Sequence, residues 1–79
     1  MTIREKLEID FIDLGLPLDE AKIVMNEFET FLTPMKDRWD TDITAYPPTV
    51  LAALRKSAEH RALIWIEANR PEYVLRILI

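Results

Sequence analysis

The chain has 79 residues, 49% of them hydrophobic, with a single glycine, no cysteine and a net charge of −4. That length fits one domain with a small core, so residues 1–79 are read as a single helical domain, and so high an apolar content excludes a disordered chain. The missing cysteines exclude a disulfide framework and a thiolate metal site, and one glycine excludes a Gly-rich phosphate loop.

Taken in chain order, Thr2 and Glu5 fit the capping box T-x-x-E, which places a helix start at Thr2. The helix runs to about Leu14. Ile3, Leu7, Phe11 and Leu14 share one face, and Ile9 and Ile12 fall nearly opposite. Gly15 stands where a helix end wants a left-handed residue, and Pro17 follows soon after.

A second helix starts near Leu18, with Asp19 and Glu20 in its first turn, where the helix dipole favours negative charge. Leu18, Ala21, Val24, Met25, Phe28, Phe31 and Leu32 make one stripe; Ile23 lies on the polar side. Pro34 requires the helix to stop by Thr33. The connection from Thr33 to Tyr46 is long for a structureless loop, so a short helical turn is expected in it, with Thr33 as cap and the turn covering 34–39. Trp39 and Tyr46 are expected to fold back on the core.

The longest helix spans Thr49–Asn69, after Pro47 and Pro48. Leu51, Leu54, Ala58, Ala62 and Trp65 form one stripe. Val50, Ala53, Ser57, Ile64 and Ala68 form another beside it, a sector broad enough for more than one neighbour. Leu63 and Ile66 fall outside that sector, and Arg61 falls inside it. Asn69-Arg70-Pro71-Glu72 resembles a further capping box, so 73–79 reads as a short terminal helix; its Val, Ile and Tyr content makes a strand the alternative. The expected fold is therefore all-α: a small bundle of three main helices, a short helical turn in 33–46 and a short C-terminal helix. The seam is expected between the second and third helices.

No constellation of catalytic residues emerges, and neither a cofactor nor a metal is expected. Asp37, Asp40 and Asp42 invite a calcium loop. A loop starting at Asp40 puts Ala45 where glycine is required and Leu51 where the bidentate glutamate belongs. His60 is the only histidine and lacks a second histidine at i+4, where Ile64 stands; Ser57 is the only serine and sits mid-helix.

Charge is uneven: residues 1–42 carry 11 acids against 5 bases, and residues 43–79 carry 3 against 5. The acidic half motivates an inhibitor that presents acids in place of nucleic-acid phosphates, with Asp13, Asp37, Asp40 and Asp42 as its face. A helical DNA-binding regulator is disfavoured, because the long helix opens Thr49-Val50-Leu51-Ala52-Ala53, which cannot read base edges. The leading expectation is a non-enzymatic protein–protein interaction module, homodimeric or docked on another protein. Ile9, Ile12, Ile23, Leu63 and Ile66 are its interface candidates, since all five point away from the expected core. Arg61 is expected either to cover apolar surface with its stem while the guanidinium reaches water, or to pair with Asp10 in a partly buried ion pair. No run approaches the ~20 apolar residues of a membrane span. The opening MTIREKLEID alternates charge too early for a signal peptide, so a cytoplasmic location is expected.

Overall fold

The computed structural model describes residues 1–73; apart from Tyr73, the expected terminal helix or strand over 73–79 lies outside them. Three helices form, α1 (Ile3–Asp13), α2 (Leu18–Phe31) and α3 (Pro48–Asn69), with two 3-10 turns, Thr33–Met35 and Ile43–Ala45, in the connection. The all-α bundle is thus as expected. Among the described residues there is no strand, only an isolated bridge between Thr2 and Asp42. No helix among them is long and apolar enough to cross a membrane.

The start of α1 shows how the chain satisfies a helix end. A helix leaves its first amide donors without internal partners. Here the Thr2 amide donates to the Glu5 carboxylate at 2.8 Å and the Glu5 amide to the Thr2 hydroxyl at 3.1 Å, completing the capping box. The amides of Ile3 and Arg4 donate instead to the carbonyls of Thr41 and Trp39, both at 3.0 Å. The 39–43 segment therefore closes the helix from outside, and the Ile43 amide returns a bond to the Met1 carbonyl. At the other end, Gly15 adopts φ +110°. Its amide donates to the Ile12 carbonyl and that of Leu16 to the Phe11 carbonyl, the double bond pattern of a Schellman end. The accompanying apolar contact is supplied by Leu16 and Phe11, both buried.

The core takes Ile3, Leu7 and Phe11 from α1, then Leu16, then Ala21, Val24, Met25 and Phe28 from α2. Trp39 comes from the connection, and Leu54, Ala58, Ala62 and Ile66 come from α3. Phe28 and Trp39 meet with ring centroids 5.5 Å apart and planes tilted by 60°, a favoured aromatic geometry.

Four expectations are corrected. The most extensive packing is α1 on α2, with α3 laid against both, rather than α2 on α3. The buried face of α3 is the single i, i+4 row Leu54–Ala58–Ala62–Ile66, flanked by half-buried Leu51 and Trp65, while Val50, Ala53, Ser57, Ile64 and Ala68 remain exposed. A two-neighbour packing buries one row where a helix crosses at its alanines, so the second stripe is left over. Thr33 is not a cap: it is the first residue of a 3-10 turn that stops at Met35, with Leu32 at the cap position. Asn69 does not open a new helix either, because its side-chain amide donates to the Trp65 carbonyl at 2.9 Å and closes α3.

Candidate interaction surface

Most charged side chains of the bundle are spent holding it together. Arg4 grips Glu29 with two bonds, Nε to Oε2 at 3.0 Å and Nη2 to Oε1 at 2.6 Å, and also reaches Asp40. The fork joins α1 to α2 and to the connection, and the Glu29 carboxylate raises the Arg4 pKa further above its ordinary value. Asp10 is buried, accepts from Lys6 Nζ at 3.0 Å and lies 4.0 Å from Arg55 Nε. Asp10 and Asp13 stand in the last turn of α1, where the dipole disfavours acids and α1 has no base of its own. Arg55 supplies the compensation from α3 and is itself held by Glu59 at 2.9 Å. Arg70 Nε donates to buried Glu20 at 2.6 Å, fixing the end of α3 to the start of α2.

The expected Arg61–Asp10 pair does not form. Asp10 already has Lys6 and Arg55, and six residues of helix turn Arg61 about 240° away from Arg55. The Arg61 guanidinium lies instead over the Phe31 ring, 4.1 Å from its centroid. Phe31 is the last residue of α2, so this cation also sits at the negative end of that helix.

Of the acidic-face candidates, Asp37, Asp40 and Asp42 share the connection between α2 and α3, and Asp13 stands apart from them. Asp42 caps the second 3-10 turn, accepting from the Thr44 amide at 3.0 Å and the Thr44 hydroxyl, and from the amino group of Met1 at 3.2 Å. Asp40 faces Arg4, and Asp37 is exposed in the turn beside them. Asp13 stands at the far end of α1, which at 11 residues is about 16 Å long. The bonds from Thr44, with the Met1 amine, hold the Asp42 carboxyl down at about 2. A carboxyl whose folded pKa is depressed stabilises the fold above its ordinary value of 3.8, and this is lost as pH falls through about 2. Melting temperatures of the wild type and of Asp42→Asn should therefore differ at about pH 5 and converge towards pH 2. A difference that is independent of pH would show that the carboxylate is not engaged.

Two of the exposed large apolar side chains, Phe31 and Ile64, share one groove. α2 and α3 run antiparallel, as the Arg61–Phe31 and Arg70–Glu20 contacts require. Between them lies an open groove of about 470 Å³, lined by Asn26, Glu27, Thr30 and Phe31 on α2 and by Arg61, Ile64, Trp65, Ala68 and Asn69 on α3. Helical spacing builds both walls: 61, 64, 65 and 68 follow i, i+3, i+4, i+7 on α3, and 26, 27, 30 and 31 follow i, i+1, i+4, i+5 on α2. Phe31 is 56% exposed and Ile64 44%, while Trp65 is half-buried beneath them. A second hollow, bounded by Asn26, Glu29, Thr30, Thr33 and Lys36 above buried Trp39, is polar.

Of the five interface candidates, Ile9 and Ile12 are exposed on the outer side of α1, Ile23 on α2 and Leu63 on α3. Ile66 is not at the surface: it is 0% exposed and completes the buried row of α3. The four exposed residues are spread over three helices, and none of them lines the groove. Periodicity puts Phe31 and Ile64 on stripes facing the core, yet both are about half exposed in the groove. The available signal was that α3 carries two apolar stripes in a chain with too few partners to bury both. The chain matches no protein-family model, and neither a curated protein nor a solved structure shows significant similarity to it.

Proposed function

We propose that the protein is a non-enzymatic protein–protein interaction module that acts as a homodimer, with the α2–α3 groove as its contact surface. The observation supporting this is the placement of Phe31 and Ile64, two large apolar side chains about half exposed, in a single groove above Trp65. Isolated surface hydrophobics are ordinary, whereas a contiguous set marks a contact site. A two-fold contact uses the same patch on both copies. Each side chain has only its exposed half left to bury, so four of them contribute roughly half of the ~1.5–3 kcal/mol apiece that full burial brings, against an association cost of ~4–15 kcal/mol. The rest of the contact must come from the polar rim of the groove. Light scattering at about 100 μM should give the dimer mass, since a Kd near 1 μM leaves most chains paired there. Ile64→Glu should return the mass to that of a monomer with the helical circular-dichroism spectrum retained. A wild type that stays monomeric at that concentration would remove self-association as the function.

A further inference from the structure

Resting on that reading, the geometry points to a charge-swapped two-fold contact in which Arg61 of each copy pairs with Glu27 of the other. The two residues stand on opposite walls of the groove. Among the described residues, Glu27 has no hydrogen bond or ion pair, and Arg61 is the one arginine without either. Arg4, Arg38, Arg55 and Arg70 are each committed to an oxygen acceptor within the chain. Arg61 and Glu27 line the same groove yet do not meet; Arg61 rests on the Phe31 ring, and neither its guanidinium nor the Glu27 carboxylate has an oppositely charged partner, on a surface that is otherwise apolar or neutral.

This balance selects the occupant. A chain of net charge −4 repels its own copy over most of its surface. Two copies approach most easily where each presents one cation and one anion, because a two-fold axis brings the cation of each against the anion of the other. A groove built for a basic partner would carry an excess of acids, and this one does not. In the proposed contact the exposed part of Phe31 meets Ile64 of the second copy, and the two Arg61–Glu27 pairs close the rim on either side.

The test uses four samples of the full chain: wild type, Arg61→Glu, Glu27→Arg, and an equimolar mixture of the two variants. Each is measured by sedimentation equilibrium, with circular dichroism to verify folding. Each variant alone replaces two attractions by two repulsions, so its dimer should weaken by about tenfold or more. The mixture should recover dimers near wild-type affinity, since every rim position then faces its opposite charge. A change of fold in either variant cannot produce this recovery, which keeps the mixture decisive. A wild-type dimer whose affinity neither substitution alters would overturn the charge-swapped contact while leaving self-association standing. A monomeric wild type would overturn both, and the groove would then belong to a different protein.

Discussion

Replacing Phe28 by alanine will lower the unfolding free energy by about 3–5 kcal/mol. The ring is 0% exposed and packs against Trp39 at a tilt of 60°. Its removal forfeits the transfer energy of the ring, the aromatic pair and the packing around the resulting cavity. The effect is large relative to the whole: a chain of 79 residues is stable by ~4–12 kcal/mol at the usual value per residue. The urea midpoint should fall by about a quarter or more, and at the lower end of that stability range the variant should be unfolded at 37 °C. Phe31→Ala is the matched control, because that ring is more than half exposed and its loss should cost less than about 1 kcal/mol. An unchanged midpoint for Phe28→Ala would show that the centre of the core lies elsewhere.

A second pair of substitutions separates core from surface on α3. Leu63 and Ile66 both read from the sequence as outward-facing, yet Leu63 is 36% exposed and Ile66 is 0% exposed. Ile66→Glu removes a buried aliphatic side chain, at ~2–5 kcal/mol, and puts an unpaired carboxylate in its place, at several kcal/mol more. The total matches or exceeds the stability of the domain, so the variant should show neither cooperative melting nor the native helical signal. Leu63→Glu should stay within about 1 kcal/mol of the wild type. Equal melting temperatures for the two variants would place Ile66 at the surface.

The contrast shows what local pattern can and cannot reveal. On α2 the middle of the stripe, Ala21, Val24, Met25 and Phe28, is buried as its period predicts, while Leu18 and Phe31 at its two ends are more than half exposed. On α1 the capping box, the Gly15 stop and the face Ile3, Leu7, Phe11 are legible from local signals, although Ile9 and Ile12 lie on the outer side. On α3 apolar residues surround the helix, so period alone leaves its rotation undetermined. The rotation is decided by tertiary contacts: Arg55 turned towards Asp10, Arg70 towards Glu20, and Leu54, Ala58, Ala62 and Ile66 facing the other helices. The groove was invisible for a related reason. It exists only where Phe31, at the last position of α2, meets the leftover stripe of an antiparallel α3, a juxtaposition that no single segment encodes.

The clasp at the start of α1 also has a consequence for the order in which the molecule can assemble. Two of the amides in its first turn find acceptors only at Trp39 and Thr41, across a closed ring of about forty residues. Closing such a ring carries an entropy cost of about 3 kcal/mol. An 11-residue helix is also marginal in isolation. The clasp therefore becomes favourable once α1 and α2 have packed and the ends of the ring are already near each other. The opening turn of α1 is therefore expected to be completed only after α1 and α2 have packed.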